Sequence, residues 1–586
     1  MKVLLTSLNA KYIHTNLAIR YLEAFCRKIN NVDIKIKEFT INDRWEKILP
    51  EIYKERADVI GLSCYIWNIK ETIKIVQLIK TLQAQVKIIL GGPEVTFYGK
   101  EWMNKIREID YIVKGEGEIT FFELLKFLEN NKGQLSNIKG LLYRDKKNYI
   151  IENQDREPMK DLDEIPFPYP KDLSEFKNKI IYFESSRGCP FHCQYCLSSI
   201  TERVRYFSID NVKKYLRFFI DAEIKQVKFV DRTFNCNLKR TKELLEFLIE
   251  QKGKTNFHFE IAADLIDEEI LKIFKKAPVG LFQLEIGVQS TYMPTLESIH
   301  RKNDFQKIKK VVKTIKSFEN IHQHLDLIAG LPYEDYNTFK KSFNDVYSLN
   351  ADMLQLGFLK VLKGSGIEAK KEKYGYHYTV FPPYEVLFND FISYEEIIKL
   401  KMVEDLLEKY KNSHVFEYTL NYVLEYYYNQ PFDFFEDFSR YWKNNRLFQV
   451  SHSQKNLYKI FLDFWSTKNQ EMGKIHEILK FDYLVSHKPP LPKFFYVNNI
   501  EQKKEKIFHF LNQPQNIEKY LPEFVGVPVK EIKKYVHFEA FSIDILNILS
   551  IEKRNENRNN VTLLFYFPRN KQKIFNKAVF SKIKLE

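Results

Sequence analysis

Cysteine is scarce in this sequence, six in 586 residues, yet Cys189, Cys193 and Cys196 fall within one short stretch, SRGCPFHCQYCLSS. So few thiols exclude a disulfide framework of the kind that staples small secreted domains, and a tight cluster of them points to metal binding or catalysis. Long apolar runs are missing too. No stretch approaches the ~20 residues that cross a bilayer, so no membrane span is expected. The apolar start, Met1 to Ser7, is followed at once by Asn9, Lys11 and His14. It is too short for the core of a secretory signal and reads as a first strand, with a cytoplasmic location expected. Segregated charge is also lacking. The formal net charge is +14, but acidic residues are interspersed among the lysines and arginines, which reads as solvated lysine rather than a nucleic-acid surface.

What is present is rhythm. With 44% hydrophobic and 29% charged residues the chain is a folded protein, and its length exceeds what one core usually organises. KVLLTS, VDIKIKEFT, VIGLSCY, VKIIL and YIVK are each followed by an amphipathic stretch, for example Thr15 to Ile29 and Asn68 to Leu82. That alternation predicts an α/β domain over 1–145, doubly wound around a parallel sheet. Ligands of such sheets sit beyond the carboxyl ends of the strands, where Ser63 and Cys64, then Gly91, Gly92 and Pro93, then Gly115, Glu116 and Gly117 fall. Residues 146–178 read as a hairpin and a linker, in which Pro166, Pro168 and Pro170 prevent a continuous helix. Over 179–375 a second series runs IIYFESS, QVKFVD, FHFEIAAD, LFQLEIGVQS, HLDLIAGLP and MLQLGFLKVL. About six βα units in succession predict a partial (βα)6 barrel with its site at the carboxyl ends of the strands. Residues 376–586 lose the rhythm and read as a mostly α-helical, aromatic-rich domain, with one late strand-like run, NVTLLFYFPR.

The cysteine loop follows the first strand of the second series. Its spacing is C-x3-C-x2-C, with Pro190 holding the loop open and Tyr195 directly before the last thiol. A cubane iron-sulfur cluster takes four ligands, so three thiolates leave one iron open. A structural zinc site needs a fourth protein ligand, for which His192 and Cys236 are the candidates. The spacing by itself leaves both open.

The loop resembles the C-x3-C-x-aromatic-C signature of the radical S-adenosylmethionine (radical SAM) superfamily. That resemblance implies a 4Fe-4S cluster on Cys189, Cys193 and Cys196, whose open iron binds the amino and carboxylate groups of S-adenosylmethionine. It extends to FVDRTFN, with Asp231, Thr233 and Asn235, at the methionine end. LEIGVQS supplies Glu285 and Gln289 near the ribose, DLIAGLPYE supplies Asp326 and Gly330, and LQLGFLKVLKGSG would lie beside the adenine. The first domain, with GGPE after one strand and VKGEGE after the next, is similar to the cobalamin-binding domain of class B radical SAM proteins. A corrinoid is implied there, against His14, Ser63, Gly91, Gly92, Pro93, Gly115, Glu116 and Gly117. The D-x-H-x-x-G motif of mutase-type domains is not met: YIHTNL keeps His14 but has Tyr12 and Leu17 where the aspartate and glycine would be. Class B domains commonly lack the cobalt-ligating histidine. The C-terminal third resembles an uncharacterised domain that follows the barrel in one such family.

The implied activity is reductive cleavage of S-adenosylmethionine to a 5'-deoxyadenosyl radical, for methyl transfer to an unactivated substrate carbon. The same cofactors also serve oxidation, ring formation and rearrangement without methylation. A non-catalytic cobalamin- or zinc-binding sensor is the reading of a different class. A small-molecule substrate is expected rather than RNA, with an external electron donor such as flavodoxin or ferredoxin. No catalytic acid, base or nucleophile is assigned.

Overall fold

The computed structural model describes residues 1–200, 203–468, 470–488, 490–495, 504–549, 560–568 and 577–585. Its first sheet contains β1 (Lys2–Asn9), β2 (Asp33–Thr40), β3 (Val59–Ser63), β4 (Lys87–Gly91), β5 (Tyr111–Val113), β6 (Leu141–Arg144) and β7 (Ile150–Glu152), in the order β2-β1-β3-β4-β5-β6-β7. The first five are mutually parallel and the last two antiparallel. Every residue of β1 after Lys2 is buried, as a central strand covered on both faces requires. Leu4, Ile60, Leu62, Ile88 and Leu90 pack on one face, and Val3, Leu5, Val59 and Ile89 on the other. The return strand β7 pairs with β6, the hairpin read at the start of 146–178, and β6 joins it to the first sheet through β5.

The helix Leu17–Cys26 shows how the strand ends are organised. Asn16 caps it by accepting from Ile19 N at 3.1 Å, and its amide donates to Ser7 Oγ at 2.9 Å and Ser63 Oγ at 3.1 Å. One capping side chain thereby ties the loop after β1 to the ends of β1 and β3.

The second sheet comprises β8 (Ile180–Phe183), β9 (Gln226–Phe229), β10 (Asn256–Ile261), β11 (Phe282–Gln289), β12 (His322–Ala329) and β13 (Met353–Phe358), in unbroken sequential order. Six strands with helices between them form the partial barrel. In β11 the even-numbered apolar residues Phe282, Leu284, Ile286 and Val288 are buried, while Gln283, Glu285, Gly287 and Gln289 share the opposite face. The period of two sends alternate side chains outward to the helices and inward to the barrel interior.

The chain forms two compact units. The first comprises Met1–Val311, Ile328–Asp335 and Gly357–Ser393, and the second Val312–Leu327, Tyr336–Leu356 and Tyr394–Glu586. The first therefore holds the whole seven-stranded sheet, the cysteine loop and the segments following β12 and β13. The second is dominated by helices such as Pro431–Asn444, Gln454–Ser466 and Met472–Ser486. They pack through fully buried Tyr410, Phe434, Phe438, Trp442 and Phe461. The strand-like run noted in the sequence becomes the middle strand, Val561–Tyr566, of a three-stranded antiparallel sheet with Val536–Phe541 and Val579–Ile583.

Among the described residues, no helix is long and apolar enough to cross a membrane.

Candidate active site

The cysteine loop leaves β8 through a two-residue hairpin, Ser186–Arg187 paired with Arg205–Tyr206. Its base is held by charge. Arg187 is largely enclosed, with its guanidinium 2.6 Å from Glu118, 2.9 Å from Glu184 and 3.4 Å from Glu116. Arg205 donates to Glu116 Oε2 at 3.1 Å and to the Met159 carbonyl at 2.6 Å. The GEGE segment of the first sheet therefore grips both strands of the hairpin. Burial pushes the Glu184 carboxyl above its ordinary range, against the pull of Arg187.

Cys189 and Cys193 are buried and Cys196 half-buried. Each sulfur has a polar neighbour: the Thr233 hydroxyl, which donates to the Arg232 carbonyl at 2.7 Å, lies 3.6 Å from Cys189 Sγ, Arg301 Nη1 3.7 Å from Cys193 Sγ, and Ser198 N 3.4 Å from Cys196 Sγ. Hydrogen bonds and positive charge at sulfur are what favour thiolates and tune an iron-sulfur cluster, so this donor set fits one. Zinc fits less well. His192 is exposed, and Cys236 is engaged by the Tyr206 hydroxyl at 3.2 Å. Among the described residues no three His, Cys, Asp or Glu side chains converge as a single metal ion would need. A cubane spreads three thiolates over three irons and requires wider spacing than tetrahedral zinc.

Asp231, at the end of β9, is fully enclosed. It accepts from Ser185 N at 2.7 Å, Ser185 Oγ at 2.6 Å and Ser186 Oγ at 2.7 Å, so it braces the start of the cysteine loop. Burial raises its carboxyl, against those hydrogen bonds. Asn235 mimics a peptide unit, donating to the Ala262 carbonyl at 2.8 Å and accepting from Ala262 N at 2.9 Å. Gln289 ends β11 in a left-handed backbone conformation, φ +71°. Its buried Oε1 has no hydrogen-bond partner among the described residues. A strained residue costs about 1–3 kcal/mol and an unpaired buried acceptor a comparable amount. An unsatisfied acceptor at a strand end fits a hydroxyl-bearing ligand such as a ribose. The Gly330 carbonyl accepts from Tyr376 Oη at 2.9 Å and Asn389 Nδ2 at 3.0 Å. In the second unit, Asp326 lies 3.0 Å from His324 Nε2.

Glu285 pairs across the barrel interior with Lys228, 2.9 Å from its Nζ, and lies 3.0 Å from His258 Nε2. Burial alone would raise its carboxyl, but His258 and Lys228 outweigh it and hold the pKa down to about 2. A carboxyl depressed on folding stabilises the fold above its unfolded pKa and loses that contribution as pH falls toward the folded value. The contribution here is up to about 3 kcal/mol. Replacing Lys228 by Met is expected to lower thermal stability most above about pH 5, with the gap to wild type closing toward about pH 2. Melting curves over that range test it, and a gap independent of pH would refute it.

At the ends of the first sheet, Ser63 is held by Asn16, and Gly91 O accepts from Cys64 N at 2.7 Å. Gly92 has φ +110°, and a Cβ there would lie 2.5 Å from the Cys64 carbonyl, so no side chain fits. Pro93 starts the short helix Pro93–Thr96, whose Glu94 is buried and accepts from Tyr384 Oη. A Cβ at Gly115 would meet nothing within 4 Å, and Gly117 opens the helix Gly117–Asn130. Around these ends Tyr12, Ile13, Trp67 and Phe97 expose apolar surface, Tyr12 to 73%. Open room over a glycine, flanked by uncovered rings, fits a large flat ligand such as a corrinoid. His14 is hydrogen-bonded through Nδ1 to Tyr182 Oη on β8 and stacks on that ring with centroids 5.8 Å apart. Cys26 and Cys64 are fully buried.

Several of these residues were not singled out from the sequence: Arg187, Arg205 and Glu118, the Arg301 contact to sulfur, Lys228 and His258, and Glu94 with Tyr384. Glu94 and Glu118 lie inside GGPE and VKGEGE, and His258 inside the polar-apolar alternation of FHFE, so pattern alone marked their neighbourhood. Their partners lie far away along the chain.

Residues 3–125 match the B12 binding domain, 183–346 the radical SAM superfamily, and 372–565 a protein family of unknown function, DUF4080. An uncharacterized methyltransferase of Pyrococcus horikoshii is 29% identical over 58% of this chain and 74% of its own length. The cobalamin-dependent radical SAM methyltransferase TokK of Streptomyces tokunonensis is 25% identical over 54% of this chain, and the match spans only 49% of TokK. An anaerobic magnesium-protoporphyrin IX monomethyl ester cyclase of Rubrivivax gelatinosus is 23% identical over 57% of this chain and 62% of its own length. Among solved structures, the cobalamin-dependent S-adenosylmethionine radical enzyme OxsB, with aqua-cobalamin and S-adenosylmethionine bound, shares the fold. Its TM-score is 0.58 at 16% identity, covering 82% of this chain and 78% of OxsB. The methyltransferase TsrM from Kitasatospora setae, with cobalamin and a [4Fe-4S] cluster bound, reaches 0.55 at 16% identity, covering 64% of this chain and 78% of TsrM. Three domain matches in this order, on a chain whose folded cysteine loop and glycine-lined strand ends suit the same two cofactors, make the protein a cobalamin-binding radical SAM protein with a C-terminal domain of unknown function.

Proposed function

We propose that the protein is a cobalamin-dependent radical SAM methyltransferase acting on a small molecule. The observation that carries this is the cysteine loop itself: three thiols, each beside a polar group, on a hairpin clamped by the segment that follows β5. When bound, the cluster supplies a reducing electron for cleavage of S-adenosylmethionine, and cobalamin supplies the methyl group.

The residues of the chain do the positioning. Cys189, Cys193 and Cys196 hold the cluster, while Thr233, Ser198 N and Arg301 favour the thiolates. Gln289 offers its unpaired acceptor to the ribose, and Glu285 orders the interior layer beneath it through Lys228 and His258. Asp231 acts from behind, fixing the serines that launch the cysteine loop. Gly91, Gly92, Pro93, Gly115 and Gly117 leave room for the corrinoid beside the Ser63–Asn16 contact. His14, held by Tyr182 through Nδ1, serves the corrinoid-facing surface. Glu116 works through Arg187 and Arg205. The electron donor is a flavodoxin- or ferredoxin-like protein.

Anaerobic reconstitution with iron, sulfide and cobalamin tests the reading. Bound iron and cobalt, and 5'-deoxyadenosine formed under strong reductant, are its expected results. Protein that binds neither metal, or never cleaves S-adenosylmethionine, overturns it. The similarity to the anaerobic cyclases favours a second reading, ring formation without methylation. Methyl-labelled S-adenosylmethionine separates the two: label in a small-molecule product supports methylation, an unlabelled dehydrogenated product supports cyclisation, and label in RNA excludes a small-molecule substrate.

A further inference from the structure

One short segment, Leu362 to Glu368, touches both loops to which the cofactors are assigned. On one side it grips the turn after β4. Lys363 Nζ sits among three rings, 5.3 Å from the centroid of Tyr98, 5.0 Å from Trp102 and 5.1 Å from Tyr384. It also lies 3.8 Å from the buried Glu94 carboxylate. The same Glu94 accepts from Tyr384 Oη, and its carbonyl accepts from Trp102 Nε1 at 3.1 Å. Tyr98 Oη donates to Glu368 at 2.9 Å, and Glu368 in turn accepts from Gly364 N. Gly364, at φ +82°, presses so closely on Phe97 that a Cβ would overlap the ring. On its other side the segment grips the cysteine loop: Ile367 N donates to the Gln194 carbonyl at 2.8 Å, immediately after Cys193.

Gly364, on Phe97, and Ile367, on Gln194, are three residues apart in sequence, which limits the separation of their backbones to about 11 Å. Each grip is stiff for a physical reason. A lysine among three rings beside a buried carboxylate has little freedom, since cation–π contacts contribute about 0.5–2 kcal/mol each. A glycine wedged on a ring in a left-handed conformation tolerates no side chain. Tyr384 is tied to the base of the segment, its carbonyl accepting from Val361 N at 2.9 Å.

We propose that Leu362–Glu368 is a strut that sets the separation of the corrinoid and the cluster, with Lys363, Glu94 and Tyr384 as the bolt that fastens it. This rests on the cofactor assignment above. Lys363, Gly364 and Tyr384 are positioning residues: they touch no reacting atom and act through Glu94, Phe97 and Gln194.

The test uses the two metals as rulers. In reconstituted full-length protein, cob(II)alamin and the reduced cluster are both paramagnetic, so pulsed EPR reads their distance. Wild type is expected to give one narrow distance. Tyr384→Phe, Lys363→Met and Gly364→Ala are expected to broaden it or shift it by about 1 Å or more, with iron and cobalt per chain unchanged. The same distance and width in all three variants, at full loading, overturns the strut. Should Lys363→Met or Gly364→Ala fail to fold, Tyr384→Phe, which removes one hydroxyl, decides alone. Wild type that takes up no cobalt or no iron overturns the cofactor assignment itself, and the strut with it, which is distinguishable from a variant that loads both metals and keeps its distance.

Discussion

Replacing Cys189, Cys193 and Cys196 together by alanine is expected to reduce bound iron from about four per chain to well below one, and to take 5'-deoxyadenosine formation to background. Each thiolate holds a separate iron, and a cubane short of a protein ligand is readily lost. The single variants are therefore expected to behave nearly as the triple one. The fold should survive, because the loop is anchored outside the thiols: by Arg187 and Arg205 at its base, by Asp231 through Ser185 and Ser186, and by the Gln194 backbone on Ile299 and Ile367. Iron analysis, 5'-deoxyadenosine by mass spectrometry and a thermal melt check the three parts. Continued 5'-deoxyadenosine formation with all three thiols gone would sink the cluster assignment. Lost iron together with a lost melting transition would show that the loop is held by its metal rather than by these anchors.

Arg187→Met is expected to be the most damaging single substitution outside the thiols. The guanidinium serves Glu118, Glu184 and Glu116 at once, and its side chain and those of Glu118 and Glu184 are at least 84% buried. Removing the cation strands two enclosed carboxylates. Breaking a buried pair in this way costs about 3–5 kcal/mol, which should lower the first unit's melting temperature by on the order of 5–10 °C. The pH dependence gives the sign. Stranded carboxyls are pushed up in the folded state, so they stay protonated where the unfolded chain is ionised. The variant then gains stability as pH falls and loses it as pH rises through those raised values. The gap to wild type should narrow from about pH 7 toward about pH 5. Adding Glu118→Gln should recover part of the loss. A gap that stays constant with pH, or no recovery, would mean that Arg187 acts by packing alone.

Both predictions concern groups whose partners are distant along the chain, and that is where reading the sequence reaches its limit. The alternation of short apolar strands with amphipathic helices was legible because it depends on local periods, two in a strand and 3.6 in a helix. The resemblance of LEIGVQS to a family motif marked Glu285 and Gln289, and the alternating burial of the strand puts them on one face. The motif could not show that Lys228 and His258 would stand beside Glu285, since those neighbours come from two other strands. Asp231 and Glu116 show the same limit. Both lie at strand ends where ligands bind, and both turn out to spend their oxygens on the protein, on Ser185 and Ser186 in one case and on Arg187 and Arg205 in the other. The hairpin at the start of 146–178 was legible from its turn residues, but only the pairing of Tyr111–Val113 with Leu141–Arg144 joins it to the first sheet.

By itself the sequence determined the order of the folds and the places of the cysteine loop and of the glycine-lined strand ends, because spacing and period act within a few residues of one another. The tertiary structure alone decided which charges meet, which carboxylates brace the protein, and that the short segment from Lys363 to Ile367 links the turn after β4 to the cysteine loop. Those are sums over contacts between segments up to 290 residues apart, such as Glu94 with Tyr384, and no local pattern encodes them.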